Sequence, residues 1–243
     1  MLQVQDLHCS LGSTTILHGV SLSVQAGERV GIIGPNGSGK TTLFNCLSGF
    51  LRVQSGSIIL NGEDITHFKP DAKARVGLGR VFQNFGIFRE LTVEENLVLA
   101  VEASRDSATS KAQVRERVRE SLAFVKLSEK AREKAGSLSG GQMRLLEIAR
   151  IMAFGASVFL LDEPTAGVSP RMKDEVEAML VHLRDAGKTL LIIEHDLPFI
   201  ERLCQRIIVL DSGRVVLDDV PENVRQSTVL QDIYFGKSHR GAA

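Results

Sequence analysis

The stretch RVGIIGPNGSGKTT, residues 29–42, decides the fold, because an apolar run leads directly into a glycine-rich loop. The loop matches the pattern G-x-x-x-x-G-K-[ST], with Gly34 and Gly39 as the glycines and Lys40 and Thr41 behind them. Glycines let the backbone curl so that several N–H groups point at phosphate oxygens, and a helix that starts behind the loop adds its positive end. Strand, loop and helix in succession therefore predict a site for the phosphates of a nucleotide.

The polar residues of this loop have chemical reasons to be there. We expect the Lys40 ammonium to reach the β- and γ-phosphates of ATP and the Thr41 hydroxyl to bind Mg²⁺. The helix behind the loop is predicted over residues 40–49. The residues predicted to bind the nucleotide here are Gly34, Pro35, Asn36, Gly37, Ser38, Gly39, Lys40, Thr41 and Thr42.

The composition is that of an ordinary globular chain with no dominant charge. Its 243 residues include 29 Lys and Arg and 29 Asp and Glu, so the formal net charge is +0 and gives no field that would steer nucleic acid. The cysteines form no C-x-x-C pair, which favours a reducing compartment over a disulfide framework or a zinc site. No apolar run approaches the roughly 20 residues of a spanning helix, and the start of the sequence lacks the pattern of a signal peptide. We therefore expect a cytoplasmic protein whose membrane role would work through a partner.

The remaining segments alternate between strand and helix patterns. The apolar runs at residues 157–162 and 189–193 are typical of buried strands, and the helices between them imply an α/β fold with a largely parallel sheet. Short strands and turns predict an antiparallel β region near the N-terminus, and the helical spacing over residues 92–127 predicts a helical insert. The predicted division is one domain, 1–243, with a nucleotide-binding core over 1–86 and 156–235, a helical subdomain over 87–155 and a tail over 236–243.

Two carboxylates follow one of the buried strands, and a histidine follows the other. Asp162 and Glu163 end the run VFLLDE, and His195 comes directly after TLLIIE. Because ligands of open parallel sheets bind at the carboxyl ends of the strands, we expect these side chains to lie near the nucleotide. Asp162 is then predicted to orient Mg²⁺ through water, Glu163 to polarise the attacking water as general base, and His195 to contact the γ-phosphate.

A second glycine-rich segment, GSLSGGQMRLLEIAR at residues 136–150, raises the question of why one chain would carry two phosphate-like loops. Its core, LSGGQ at residues 138–142, is similar to the signature motif of ABC ATPases. The order of phosphate loop, Gln83, LSGGQ, LLDEP and His195 resembles the nucleotide-binding subunit of an ABC transporter over nearly the whole chain. The resemblance implies a P-loop NTPase core with a helical insert that carries the signature motif.

The resemblance answers the question, because two such subunits pack head to tail in the family. Each signature loop would close on the γ-phosphate of the ATP held by the other subunit, from the start of a helix that we predict over residues 142–153. The residues concerned are Ser139, Gly140, Gly141 and Gln142. Gln83, in the family's position, would contact Mg²⁺ and the attacking water. The implied partners are a second ATPase subunit in a homo- or heterodimer, integral membrane permease subunits and, indirectly, a solute-binding protein, but no nucleic acid.

The chain departs from the family pattern at two positions. Leu11 stands where the family usually has an aromatic residue that stacks on adenine, so stacking on the base would weaken by ~1 kcal/mol. Ser169 stands where the loop after LLDEP usually carries Asp, and in the family that loop contacts the opposite subunit. Of the aromatic residues in RVFQNFGIF, we assign Phe82 to the core. Phe85 and Phe88 belong either to the core or to a groove for a permease helix.

The finer resemblance is to importers. The segments GLGRVFQNFGIFRELTVEENL, DEPTAGVSP and IYFGK resemble ATPase subunits of branched-chain amino acid importers, and the ATPases of urea uptake and lipopolysaccharide export are similar. A soluble ABC ATPase of cofactor assembly stays open as an alternative, whereas DNA-acting and ribosome-acting types would need a long coiled coil or a second phosphate loop. We expect ATP hydrolysis that drives import of branched-chain amino acids or a related amide, at the inner face of the cell membrane.

Overall fold

A computed structural model of the protein describes residues 1–82, 86–104 and 110–235. Its strands and helices follow in the order β1 (Leu2–Leu11), β2 (Thr14–Val24), β3 (Arg29–Ile33), α1 (Lys40–Leu47), β4 (Ser55–Leu60), β5 (Glu63–Asp64), α2 (Pro70–Arg75), β6 (Leu78–Val81), α3 (Val93–Ser104), α4 (Lys111–Phe124), α5 (Gly140–Phe154), β7 (Val158–Asp162), α6 (Pro170–Asp185), β8 (Thr189–Ile193), α7 (Leu197–Leu203), β9 (Arg206–Asp211), β10 (Arg214–Asp219), α8 (Pro221–Gln226) and α9 (Thr228–Phe235). Short 3-10 turns lie at Ser128–Lys130 and Ala135–Ser137.

The chain forms two compact units, which are described separately. The first unit comprises residues 1–73 together with the described residues from 189 onward, and the second comprises residues 74–188. The predicted division at residues 87 and 156 follows the motifs, and it stays a prediction. Within the described ranges, no helix is both long enough and apolar enough to cross a membrane.

The first unit contains an antiparallel sheet with the strand order β2-β1-β4-β5. Strand β1 lies between its neighbours, with Leu2 opposite both Val24 and Leu60. The hairpin from β4 to β5 turns at Asn61 and Gly62, whose φ angles of 51° and 88° match the two left-handed positions of a type I′ turn. The predicted antiparallel region near the N-terminus is confirmed.

The first unit also contains a mostly parallel set of strands, in which β3 lies between β8 and β9. Ile32 faces Ile193 of β8 and Ile208 of β9 in parallel register, and β10 pairs antiparallel with β9. The second unit contributes another parallel pair, β6 with β7. Strands β7 and β8 are buried along their whole length, as continuous apolar runs between helices require. The α/β class with largely parallel strands is therefore confirmed.

Three helices of the second unit, α3, α4 and α5, pack against one another. Their contact faces carry the apolar residues that the helical spacing predicts, which are Val93, Leu97, Ala100, Val101, Val114, Val118 and Leu122, all buried. The predicted helical insert is thus present within this unit. In the first unit, α1 ends at Leu47, two residues before the predicted end, because Gly49 already has a left-handed φ of 81°.

Candidate functional site

The glycine-rich loop of the first unit joins the buried strand β3 to helix α1. Gly34 has a φ of 151°, and a Cβ on it would lie only 2.0 Å from the Leu210 carbonyl oxygen, so a side chain is excluded there. Gly39, the residue before α1, has a φ of 102°, and a Cβ would lie 2.9 Å from the Leu17 side chain. At Gly37 a Cβ would meet nothing within 4 Å. The loop therefore packs closely against Leu210 at Gly34 and against Leu17 at Gly39, whereas Gly37 has open space around it.

The polar side chains of this loop suit a phosphate. Lys40 is buried, and its ammonium donates to the carbonyl oxygens of Gly34 at 2.7 Å and Pro35 at 2.9 Å. The Ser38 hydroxyl is buried without a hydrogen-bond partner, which is costly unless a ligand supplies one. Thr41, at the start of α1, is exposed. A buried cation, an orphaned hydroxyl and a helix N-terminus in one loop are the features that bind an anion.

His195 lies at the same edge of the parallel strands as this loop. Since Ile32 of β3 faces Ile193 of β8, Gly34 and His195 each lie two residues beyond a matched pair. The His195 side chain is exposed, and its backbone N–H donates to Oε2 of the buried Glu194 at 3.2 Å. The structure therefore brings His195 and the phosphate loop to one sheet edge, as the sequence predicts.

In the second unit, Asp162 ends β7 and is held by an arginine of the neighbouring strand. Arg80 of β6 donates from Nη2 to Asp162 Oδ2 at 3.0 Å, and both side chains are only 5% exposed. Burial lowers the pKa of Arg80, although the Asp162 charge acts in the opposite direction. The guanidinium also lies 4.9 Å from the centre of the Phe82 ring. Asp162 is therefore a positioned carboxylate at a strand end.

Glu163, the predicted general base, has an unusual backbone conformation. Its φ is 49°, in the left-handed region that few non-glycine residues adopt. Its carbonyl oxygen accepts the Ala166 N–H at 3.0 Å, so a tight turn follows β7. The side chain is half-buried. Local strain of this kind clusters at functional sites and aims a side chain that ordinary strand geometry would place elsewhere.

The signature segment forms the start of helix α5. Ser139 is the N-cap: its Oγ accepts the Gln142 N–H at 3.3 Å, while Gln142 Oε1 accepts the Ser139 N–H at 3.1 Å. The helix begins at Gly140, so the predicted start at residue 142 is wrong by two residues. A Cβ on Gly141 would lie 2.3 Å from the Met172 side chain, which explains the glycine. Ser139 is exposed in the isolated chain.

The predicted residues thus occur in two groups, one in each unit. The first unit holds the phosphate loop with His195, and it also holds Leu11, which is 47% exposed at the end of β1. The second unit holds Asp162, Glu163 and the signature segment. Gln83 and Phe85 lie outside the described residues.

Four outcomes concern individual side chains. Phe82 was assigned to the core, and that is wrong, because it is half-buried against Arg80. Phe88 is 51% exposed, which favours the groove over the core. Arg80 itself was missed, although a cation inside the short strand LGRV is a signal that a buried anion lies nearby. Ser169 is the N-cap of α6, where its Oγ accepts the Met172 N–H at 3.4 Å.

A glycine-rich phosphate loop between a buried parallel strand and a helix defines the class of P-loop nucleoside triphosphatases. The family model described as ABC transporter matches residues 17–166 of this chain. The protein therefore belongs to the ABC transporter family. Within this family it is an ATP-hydrolysing subunit.

Two relatives match the chain along almost its whole length. The high-affinity branched-chain amino acid transport ATP-binding protein BraF of Pseudomonas aeruginosa is 36% identical over 251 residues, covering 98% of each chain. The lipopolysaccharide export system ATP-binding protein LptB of Haemophilus influenzae is 34% identical over 240 residues, covering 99% of each.

Solved structures of ABC cassettes have the same fold. The ADP conformation of MJ1267, an ATP-binding cassette of an ABC transporter, is 32% identical, with a TM-score of 0.87 and coverage of 98% of this chain and 99% of that one. A dimeric post-hydrolysis state of the cassette MJ0796, bound to ADP and Pi, is 28% identical, with a TM-score of 0.80 and coverage of 91% and 99%. The predicted P-loop NTPase core is therefore confirmed.

Proposed function

We propose that this chain is the ATPase subunit of an importer for branched-chain amino acids or a related amino acid or amide. The observation that carries the proposal is the full-length match to BraF, a branched-chain amino acid transport protein by name, at 36% identity. LivG of Escherichia coli, which has the same named role, is 32% identical over 98% of each chain. The full-length match to LptB supports lipopolysaccharide export as the second candidate.

ATP is the substrate in this proposal, and the first unit holds its phosphates. The loop N–H groups and the N-terminus of α1 would surround the β-phosphate. Lys40 would exchange the Gly34 and Pro35 carbonyl oxygens for phosphate oxygens, and the buried Ser38 hydroxyl would gain its missing acceptor. His195, at the same sheet edge, would donate to the γ-phosphate. Leu11 would provide an aliphatic contact for the base.

The oxygen donors of Thr41 and Asp162, together with the amide of Gln83, are of the type that holds Mg²⁺. When bound, this ion neutralises charge on the phosphate oxygens during phosphoryl transfer. The Arg80 hydrogen bond keeps the Asp162 carboxylate in a fixed orientation. Glu163, held in its left-handed turn, would take the proton from the attacking water.

Two cassettes would form a dimer, as MJ0796 does in its dimeric structure. The exposed Ser139 and the N-terminus of the 15-residue helix α5 would approach the γ-phosphate held by the partner cassette. Phe88, exposed in the second unit, would contact a permease subunit. The chain would thus act as a peripheral subunit on the cytoplasmic face of the membrane, with a solute-binding protein on the other side.

The chemical part of the proposal is tested with Glu163→Gln. The amide is nearly isosteric but cannot accept a proton, so ATP turnover should fall by at least about 100-fold while ATP binding persists. Size-exclusion chromatography with Mg²⁺ and ATP should show this variant as a dimer. Glu175→Gln, an exposed position of α6, is the control that keeps full turnover. Unchanged hydrolysis in Glu163→Gln would remove Glu163 from the role of base.

The transport part is tested in cells that lack the gene for this chain. Radiolabelled leucine uptake should return with the unaltered protein but not with Glu163→Gln. A tagged pull-down from detergent-solubilised membranes should recover polytopic permease subunits. Normal leucine uptake in the deleted cells, together with accumulation of lipopolysaccharide in the inner membrane, would favour the second candidate instead.

A further inference from the structure

Three side chains of helix α5 bind the backbone on both sides of residues 83–85. Glu147 Oε1 accepts the N–H of Phe82 and the N–H of Gly86, each at 3.1 Å. Arg144 donates to the carbonyl oxygen of Phe82, and Arg150 donates to that of Gly86. These four hydrogen bonds satisfy both polar backbone groups of each residue. We call Arg144, Glu147 and Arg150 the α5 clamp.

The clamp is built on a fully buried ion pair. Arg144 Nη1 lies 2.7 Å from Glu147 Oε2, and the two side chains are 0% and 3% exposed. Burial raises the pKa of Glu147, and this effect is partly offset by Arg144 and by the two backbone N–H groups. A buried ion pair is generally no more stabilising than apolar side chains of similar size. What this pair adds is a set of partners for backbone groups that lie outside any helix or strand.

Phe82 and the clamp residue Arg150 each contact a residue to which the proposed function gives a role or a neighbour with one. The Phe82 ring lies 4.9 Å from the Arg80 guanidinium, and Arg80 holds Asp162 at 3.0 Å. On the other side, the Arg150 guanidinium lies 4.9 Å from the centre of the exposed Phe88 ring. The α5 clamp is therefore connected to the Asp162 carboxylate through Phe82 and Arg80. Its own residue Arg150 lies against Phe88.

We infer that Glu147, supported by Arg144 and Arg150, is a positioning residue for ATP hydrolysis. It binds Phe82 and Gly86, the described neighbours of residues 83–85, to helix α5, which begins within the signature motif. A displacement of that helix would then move Phe82 and Gly86 with it. The inference rests on the proposed role of Gln83 in contacting the attacking water and Mg²⁺.

Amide hydrogen exchange tests the clamp directly. Glu147→Ala leaves the two N–H groups without their acceptor, so the Phe82 and Gly86 amides of the nucleotide-free chain should exchange at least about 10-fold faster by NMR. Glu147→Gln keeps one carbonyl oxygen for these N–H groups but loses the charge that pairs with the buried Arg144, so their exchange should accelerate less than in Glu147→Ala. Glu116→Ala is the matched control, because Glu116 pairs with Arg119 at the same i,i+3 spacing but on the surface.

Steady-state kinetics test the positioning role. Glu147→Ala should lower kcat by about 10-fold or more and leave the KM for ATP within about 2-fold, because ground-state binding lies elsewhere. Glu147→Gln, which keeps the acceptor oxygen but not the ion pair, should lower kcat less than Glu147→Ala does. Gln83→Ala serves as the reference: the double variant should lose no more than Gln83→Ala alone, because the two residues act on the same step.

Several results would overturn the inference. Fast exchange of the Phe82 and Gly86 amides in the unaltered protein would show that the clamp hydrogen bonds do not form. This result can be obtained even if Glu147→Ala fails to fold. Unchanged kcat in Glu147→Ala, with a lowered kcat in Gln83→Ala, would remove only the positioning role. Normal turnover in Gln83→Ala would remove Gln83 from the proposed mechanism, and the positioning role with it.

Discussion

The backbone of Glu163 leads to a stability prediction that does not depend on nucleotide. Its φ of 49° places an L-residue in the left-handed region, at a cost of about 1–2 kcal/mol. Asn61 and Ser212, which share this conformation, lie in hairpin turns, whereas Glu163 directly follows the buried strand β7. Glycine adopts the conformation without the steric cost, so Glu163→Gly should be more stable than Glu163→Ala.

The magnitude follows from two opposing effects. Alanine at this position keeps the left-handed cost of about 1–2 kcal/mol. Glycine avoids it but loses about 0.5–1 kcal/mol more chain entropy on folding than alanine does. The net preference should therefore be roughly 0.5–1 kcal/mol in favour of glycine. Glu175 is an exposed residue in the middle of α6. There the order should reverse, with the alanine variant more stable than the glycine variant by about 1 kcal/mol.

The assay is equilibrium unfolding in urea of the four nucleotide-free variants, Ala and Gly at each position. Omitting nucleotide matters because a ligand that binds only the folded state would add its own stabilisation. Both Glu163 variants should lack ATP turnover, whereas both Glu175 variants should retain it. An alanine variant at Glu163 that is as stable as the glycine variant, or more stable, would refute the claim that strain is stored at this residue.

Two further outcomes are expected. Burial lowers the pKa of Lys73 from 10.5 to about 8, so between these values Lys73 contributes a rise of the free energy of unfolding with pH. Burial also raises the pKa values of the Cys46 and Cys204 thiols, whose contributions fall with pH, so the prediction concerns the difference between two variants. In urea unfolding between about pH 8 and pH 10, the free energy of unfolding of Lys73→Met should increase less, or decrease more, with pH than that of the unaltered chain, and equal slopes would contradict the assignment. Leu11→Phe should strengthen ATP binding by about fivefold through ~1 kcal/mol of stacking, and should increase selectivity over GTP. Unchanged affinities in calorimetric titration would show that position 11 does not face the base.

The phosphate loop could be predicted from the sequence because its geometry is dictated locally. Gly34 and Gly39 need φ angles and close contacts that no other residue allows, and a lysine at a fixed spacing completes the pattern. The cap of α6 is equally local, since Ser169 and Pro170 are adjacent in the chain. The start of α5 is also determined locally, although the prediction placed it two residues too late. Ser139 and Gln142 have the spacing of a capping box, which makes Gly140 the first helical residue.

Other parts of the site could not be predicted, because they depend on pairing between distant segments. Arg80 and Asp162 are separated by 82 residues. The hydrophobic pattern of each segment can indicate a strand, but it does not indicate that β6 and β7 pair in parallel register. The misassignment of Phe82 has the same origin. An aromatic residue after a buried strand normally belongs to the core, but here one of its contacts is a guanidinium. Glu147 and Arg144 lie in a helix whose apolar pattern gives no hint that they bind backbone groups elsewhere.

The positions of the buried charges connect these observations. Lys40 follows the loop after β3, Asp162 ends β7, and Glu194 follows β8. The buried pair Arg144–Glu147 binds residues that follow β6. Apart from one lysine of α2, the charged residues buried in the described chain therefore act at the carboxyl end of a parallel strand. Since burying charge costs free energy that apolar residues would not, each unit places its buried charge beyond the carboxyl ends of its own parallel strands, where ligands of such strands bind. The α5 clamp follows this rule in the second unit, as the phosphate loop does in the first.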